Sequence, residues 1–166
     1  GFAVATFDWR GQGGSDRLIG NRKLGYVDKF EDYWTDLHSF HSEILLPDCP
    51  PPFYLVGHSM GALASLYAGI YDRLMFDRMF LSAPMLAIPG VRSASAAALL
   101  ANTLTFLGLG RMGVGRRADK PPSEARFPGN PITSDLTRYM RQVDVLKARP
   151  DLLIGHPTVR WSGGRS

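Results

Sequence analysis

The residues best suited to chemistry lie in the run Gly57-His58-Ser59-Met60-Gly61, a Gly-x-Ser-x-Gly pattern between the apolar run Phe53-Tyr54-Leu55-Val56 and an Ala-rich stretch that begins at Met60. A serine hydroxyl is a weak nucleophile. To attack a carbonyl it must be held out on a sharp turn, where a base can take its proton. A strand that passes directly into a helix makes such a turn, and the flanking Gly57 and Gly61 remove Cβ atoms that would strike the neighbouring strand and helix. Ser59 is the candidate nucleophile. The helix expected from Met60 brings its electropositive N-terminus beneath the site, so the backbone N–H of Met60 is the candidate oxyanion donor, a type of contact contributing about 3 kcal/mol to a transition state. The pattern specifies acyl transfer but not the leaving group. Three fixed positions can also arise by chance, as a hinge between strand and helix; the strand before and the helix after are what favour the nucleophile.

Other residues carry weaker signals. His58 adjoins the candidate nucleophile, but neighbouring side chains at a kink point in different directions, so it is expected to pack near the site and not to act as the base. His38 and His41 share a face of an expected helix, yet no further ligands lie at metal-binding spacing, and a solvated helix face is the simpler reading. The glycines of Gly11-Gln12-Gly13-Gly14 superficially resemble a nucleotide loop; Asp16 stands where the last glycine belongs and no Walker lysine follows. The loop reads as a structural turn in which Arg10 and Asp16 are expected to pair. His156 is the only histidine after Ser59, and Asp119, Asp135, Asp144 or Asp151 can nominally complete a triad with it, but none of them follows a buried strand.

The elements that would position Ser59 can be read from hydrophobic pattern. Phe2-Ala3-Val4-Ala5-Thr6-Phe7 reads as a buried strand that ends in the glycine-rich loop. From Asp28, the residues Phe30, Trp34, Leu37, Ile44 and Leu45 recur at helical spacing, and Pro47 and Pro50 to Pro52 are expected to end that helix. Phe53 to Val56 has the unbroken apolar character of a parallel strand buried on both faces. A helix over about Met60–Tyr71 and a strand at Met79-Phe80-Leu81 follow. Strand and helix thus alternate, which predicts an α/β fold with a parallel sheet. After Pro84 the rhythm changes: 94–109 and 133–147 read as helices, with an irregular Gly-, Pro- and Arg-rich crossing over 108–130 between them. The stretch 94–109 is short for a membrane span and interrupted by Ser95, Asn102, Thr103 and Thr105, so a lid helix is the better reading.

Two motifs together resemble those of the α/β-hydrolases, in particular the lysophospholipase- and monoacylglycerol-lipase-like, serine aminopeptidase-type members. One is Asp8-Trp9-Arg10-Gly11-Gln12-Gly13-Gly14-Ser15, similar to that family's Asp-x-Arg-Gly-x-Gly-x-Ser loop; the other is the run around Ser59. Leu81-Ser82-Ala83-Pro84-Met85 resembles the strand end before the family's cap, and Gly155-His156-Pro157-Thr158-Val159-Arg160-Trp161 resembles a segment late in that cap. The resemblance implies a partial α/β-hydrolase core with the nucleophile elbow over 1–84 and a mostly helical cap or lid over 85–161; residues 162–166, which have lost all apolar pattern, read as a disordered tail. It implies a serine esterase acting on a monoacyl lipid through an acyl-enzyme on Ser59. In the family the catalytic acid and histidine follow the cap and the second oxyanion donor precedes Gly1, so those groups are expected outside this chain. The alternatives are a general carboxylesterase, thioesterase or peptidase, and a non-catalytic truncated hydrolase fragment.

Composition bounds the rest. The chain has 166 residues, 45% of them apolar, which argues for a globular domain and against disorder. Net charge is +4, but the cations are scattered among carboxylates, which disfavours a nucleic-acid partner. Cys49 is the single cysteine, so no intrachain disulfide can form. No metal and no organic cofactor is expected for this chemistry. Arg92, Arg111, Arg116, Arg117 and Arg126 make the cap region basic beside apolar flanks, a combination suited both to simple solubility and to contact with a membrane surface, so a cytoplasmic or membrane-peripheral location is expected.

Overall fold

The computed structural model describes residues 1–86, 93–114, 127–130 and 133–163. Helix α1 (Glu31–Phe40) opens with Glu31 and Asp32 in its first turn, where carboxylates favour the helix N-terminus. It continues through a π-helical turn (His41–Leu45) into the short helix α2 (Leu46–Asp48). Strand β1 (Tyr54–His58), helix α3 (Met60–Tyr71) and strand β2 (Arg78–Ser82) form a parallel β-α-β unit, with Tyr54 opposite Arg78 and His58 opposite Ser82. Helix α4 (Ala94–Phe106), helix α5 (Leu136–Ala148), a 3₁₀ turn (Pro150–Leu152) and helix α6 (Val159–Gly163) follow. The fold is α/β, as the alternation of pattern predicts.

The core lies between the sheet and helices α1 and α3. One cluster joins Val27, Phe30 and Tyr33 to Ala64, with Trp9, Tyr67 and Trp161 packed against it. A second joins Leu37, Ala68, Met75 and Phe76, flanked by Phe7, Trp34 and Leu55. Small residues on α3 make this possible: Ala64 and Ala68 let α1 approach closely, and a Cβ at Gly69 would stand 2.9 Å from the Met79 methyl group.

Several sequence expectations are corrected. Phe2 to Phe7 is not a strand, because no described segment supplies a ladder for it and extended backbone becomes a strand only through pairing. Phe2 meets Tyr54 edge-on, while Val4 is exposed. β1 is buried on one face only: Gly57 and Leu55 turn toward the core, and Tyr54 and Val56 are exposed because no described element covers the opposite face. Pro47 does not end the first helix. In the π turn Leu46 N–H donates to His41 O, five residues back, and this wider turn accommodates a proline ring that an ordinary helix interior would reject. The same turn leaves Ile44 exposed and His41 buried, so His41 lies in no solvated face.

The second helix expected after Pro84 begins later than its pattern. Asp135 caps α5 by accepting from Thr137 and Arg138 N–H, which sets the start at Leu136 and not Thr133. Of the tail expected over 162–166, Ser162 and Gly163 belong to α6, whose Gly163 packs directly on Ala101 of α4. Arg92, Arg116, Arg117, Arg126, Asp119 and the final residues 164–166 lie outside the described residues.

Candidate active site

Ser59 stands between the last residue of β1 and the first of α3, with φ 51° and ψ −117°. That conformation is strained for a residue with a Cβ, and the surroundings hold it from two sides. Its N–H donates to Ser82 O at 3.0 Å, and its carbonyl accepts from Leu63 N–H at 3.2 Å and Met85 N–H at 3.1 Å. The segment after β2 therefore clamps the kink. The positive φ of Ala83, 44°, is the bend that lets both Ser82 and Met85 reach it. No hydrogen bond engages Ser59 Oγ among the described residues, and the residue is half-buried.

The two flanking glycines differ in kind. A Cβ on Gly57 would stand 2.7 Å from Ser65 Oγ and 2.8 Å from Ala62 Cα, so no larger residue fits without moving backbone. At Gly61 a Cβ would meet only Trp9 Nε1, at 3.8 Å, an ordinary contact. The expectation that both glycines avoid a collision holds for Gly57 and is corrected for Gly61, because the only neighbour of that position among the described residues is the Trp9 indole edge, at ordinary contact distance. Met60 N–H is the first amide of α3, among those that a helix's own ladder leaves unpaired.

The Asp8 to Asp16 loop is built to lie beside this kink. Asp8 Oδ2 accepts from Gly14 N–H at 2.8 Å, and Asp8 O accepts from Ser15 Oγ at 2.6 Å, which closes the loop on itself. Gly11 and Gly13 adopt φ of 74° and 49°, and a Cβ on Gly13 would overlap the Asp8 carboxylate. Arg10 does not pair with Asp16. Its Nε and Nη2 donate to Asp36 at 2.8 and 2.6 Å and its Nη1 lies 3.4 Å from Asp32, both on α1, while Asp16 contributes only its carbonyl, to Gly11 N–H. The bond to Asp36 holds the Arg10 guanidinium above its ordinary pKa. Gln12 Nε2 then reaches Met60 Sδ at 3.1 Å, tying the loop to the first residue of α3.

The histidines have separate surroundings. His58 Nδ1 lies 3.4 Å from Ser82 Oγ on the exposed side of the sheet. His38 meets Trp34 edge-on. His41 is wedged between the rings of Phe53 and Phe76, its Nε2 has no partner among the described residues, and burial lowers its pKa below the usual value. His156 belongs to the segment whose Pro157 bridges Gly25 and whose Thr158 bridges Gly113. Asp135 is engaged as a helix cap and Asp151 by both nitrogens of the Arg149 fork. Among the described residues no group of side chains is arranged to hold a metal ion.

Sequence reasoning missed the clamp of Ser82 and Met85, which acts through backbone atoms and leaves no mark on residue type. It also missed Tyr33, whose hydroxyl accepts from Trp161 Nε1 at 3.1 Å and so ties the late segment to α1. Burial raises the Tyr33 pKa. Two clefts, one lined by Phe7, Asp8, Arg10, Ser15 and Asp36 and the other by Tyr26, Thr105, Arg111 and Arg160, do not include Ser59.

Comparison with known proteins agrees with this architecture. The family model described as serine aminopeptidase, S33 (Hydrolase_4), matches residues 1–164. The lysophospholipase L2 of Escherichia coli strain K12 is 31% identical over 166 residues, covering 97% of this chain and 47% of its own length. The probable lysophospholipase L2 of Haemophilus influenzae is 30% identical over 163 residues, covering 97% of this chain and 50% of its own. The chain spans about half the length of the curated relatives it matches. With a parallel β-α-β unit kinked at Ser59 and a family match along nearly all its length, this chain belongs to the serine aminopeptidase S33 family of α/β-hydrolases.

Proposed function

We propose that the protein hydrolyses a carboxylic ester of a monoacyl lipid, of the lysophospholipid or monoacylglycerol type, with Ser59 as nucleophile. The observation that carries this reading is the kink itself: a serine in a strained conformation at the N-terminus of α3, clamped through its backbone while its hydroxyl is left without a hydrogen bond among the described residues. A strained turn of this kind is costly, and such strain concentrates at functional sites. In the reaction Ser59 Oγ attacks the ester carbonyl and forms a bond to its carbon while a base takes the hydroxyl proton. The carbonyl oxygen gains negative charge, which the Met60 N–H stabilises as a hydrogen-bond donor. Collapse expels the alcohol, which leaves with that proton, and water then releases the fatty acid from the acyl-enzyme.

The same reading takes the base and its orienting acid from the part of the family's fold that this chain, about half the length of its curated relatives, does not cover; His41, enclosed by rings, and His58, facing Ser82, are not taken as the base. The substrate class is supported by the names of the Escherichia coli and Haemophilus influenzae relatives, which are lysophospholipases. The same reading expects no cofactor, and a cytoplasmic or membrane-peripheral location. Among the described residues no helix is long and apolar enough to cross a membrane.

A fluorophosphonate probe, which reacts with activated serines, tests the assignment on the protein in its longest natural form. Stoichiometric labelling lost in Ser59→Ala is the expected result. Labelling that persists in that variant, or its absence from folded wild-type protein, overturns it. Rates over an acyl-chain series separate a monoacyl-lipid enzyme, which favours long chains, from a general esterase, which does not.

A further inference from the structure

Three segments remote in sequence meet at the start of α6. Beyond α4 the chain turns over 109–112, where Met112 N–H donates to Leu109 O at 3.0 Å and Arg111 sits inside the turn. That turn runs beside the late segment: Val114 N–H donates to Pro157 O at 2.8 Å, Val159 N–H to Met112 O at 2.8 Å and Arg160 N–H to Gly110 O at 3.0 Å. The late segment is held from its other side by Gly25, whose carbonyl accepts from Thr158 N–H at 2.9 Å and from its hydroxyl at 3.0 Å. Backbone bonds therefore bring Arg111 and Arg160 to one place without help from either side chain.

Where they meet is a cleft of about 300 Å³, lined by Tyr26, Thr105, Gly108, Gly110, Arg111 and Arg160, with no carboxylate in that lining among the described residues. The Arg160 side chain is only 24% exposed. Its Nε donates to Asp28 O at 2.7 Å and reaches Asp28 Oδ1 at 3.2 Å, while neither terminal nitrogen has a hydrogen bond among the described residues. Arg111 is exposed and forms no ion pair among them. The Tyr26 hydroxyl reaches Asp28 Oδ1 only at 3.4 Å, a long bond easily exchanged for a better acceptor. The end of α4 does not oppose an anion with unpaired oxygens at Thr103, Leu104 or Thr105, whose carbonyls are taken by the N–H groups of Leu107, Leu109 and Gly108. Two like charges held in one cleft repel each other, and an anion placed between them removes that cost. A planar carboxylate fills one guanidinium fork, whereas the oxygens of a tetrahedral phosphate can serve two forks at once.

We infer that the cleft between Arg111, Arg160 and Tyr26 is a binding site for a phosphate group. Arg160, anchored through Nε to Asp28, offers its terminal nitrogens; Arg111 closes on the phosphate from the turn, and the Tyr26 hydroxyl donates a further bond. The phosphate comes either from the headgroup of a lysophospholipid or from free phosphate in solution. In the first case the site rests on the lipid-ester reading and narrows its substrate to a lysophospholipid over a monoacylglycerol. In the second it is an effector site apart from Ser59, which does not line this cleft.

The test is calorimetric titration of the protein in its longest natural form with inorganic phosphate, glycerophosphoethanolamine and acetate, at low ionic strength where charges are least screened. Inorganic phosphate is expected to bind saturably and acetate is not. Glycerophosphoethanolamine carries its phosphate as a lipid headgroup does. Binding at least as tight as that of inorganic phosphate assigns the cleft to the headgroup, weaker binding assigns it to free phosphate, and both outcomes support the site. Arg111→Gln, which removes an exposed side chain and keeps the fold, is expected to weaken phosphate binding by about tenfold or more, the scale of a charge-assisted contact. Arg160→Lys keeps the charge but loses the fork, and is expected to weaken it by about threefold or more. Arg138→Gln, on the exposed surface of α5, is expected to leave it unchanged. The inference is overturned if neither phosphate compound binds up to about 20 mM, if acetate binds as tightly as phosphate, or if Arg111→Gln binds no more weakly than Arg138→Gln. Ser59→Ala is expected to bind phosphate as the wild type does, and no readout needs turnover, so failure of this site and failure of the nucleophile assignment are separate results.

Discussion

A Cβ on Gly57 would stand 2.7 Å from the Oγ of Ser65, and Ser65 Oγ is not free to move, because it donates to Gly61 O at 2.7 Å inside α3. The end of β1 and the first turns of α3 are thus pressed together at a point where only glycine fits, and the kink at Ser59 follows from that closeness. Gly57→Ala is expected to lower stability by about 2 kcal/mol, the usual scale for overpacking against backbone. Gly61→Ala, whose Cβ would make only an ordinary contact with the Trp9 indole, is expected to change stability by less than about 1 kcal/mol, with higher helix propensity acting in its favour. Urea unfolding of both variants checks the contrast. Equal effects would mean that the two glycines serve the turn in the same way.

A second test concerns the loop beside the kink. The Arg10 fork grips Asp36 with two short bonds, and both side chains are about three-quarters covered. A double-mutant cycle with Arg10→Ala and Asp36→Ala is expected to give a coupling of about 1 kcal/mol, above the usual value for an exposed pair. Arg10→Lys is expected to recover less than half of it, since an ammonium cannot reproduce the planar two-point contact. A coupling near zero would place the pair among ornamental surface contacts.

The sequence made the kink legible because its causes are local: an apolar run, two glycines and an Ala-rich helix lie within one short stretch. β1, α3 and β2 were readable for the same reason, and α3 begins and ends where its pattern does. What lay hidden depends on distant partners. Arg10 has Asp16 close by in sequence, but α1 brings Asp36 to it from 26 residues away. Phe2 to Phe7 carries the composition of a strand, and composition supplies no neighbour to pair with. The π turn has no residue signature at all; it reveals itself only by where it leaves Ile44 and His41.

His41 gives a prediction with a definite sign. Its ring is buried between Phe53 and Phe76, and desolvation lowers its pKa from the ordinary 6.5, although Asp72 opposes the shift and His38 adds to it. A histidine with a depressed folded-state pKa binds its proton more readily when unfolded. Its favourable contribution is therefore full above about pH 6.5 and is lost as the pH falls from there toward the folded-state value. The unfolding free energy from urea titrations should decrease between about pH 7.5 and about pH 5.5, by no more than about 1.4 kcal/mol per pH unit from this group. In His41→Phe, which fills the same space without a titrating nitrogen, that part of the slope should vanish. An unchanged slope would assign the acid sensitivity to other groups.

The open face of the sheet makes the last prediction. Val56 is 75% exposed and Phe80 68%, side by side in the β1–β2 register, with Tyr54 beside them and no other strand on either edge among the described residues. Unpaired backbone at a strand edge next to an apolar face is a template for another chain, and a two-stranded sheet is only marginally stable without further strands. The isolated 166-residue chain is expected to associate at micromolar concentration, with light scattering that rises with protein concentration. Val56→Thr/Phe80→Thr keeps β-propensity while removing apolar surface, so it should reduce that scattering without loss of secondary structure. Substituting the exposed Leu99 and Leu100 of α4 instead should leave it unchanged, since a helix presents no strand edge. A soluble monomer with a single cooperative thermal transition would show that the exposed sheet face is tolerated, and the association argument would fail.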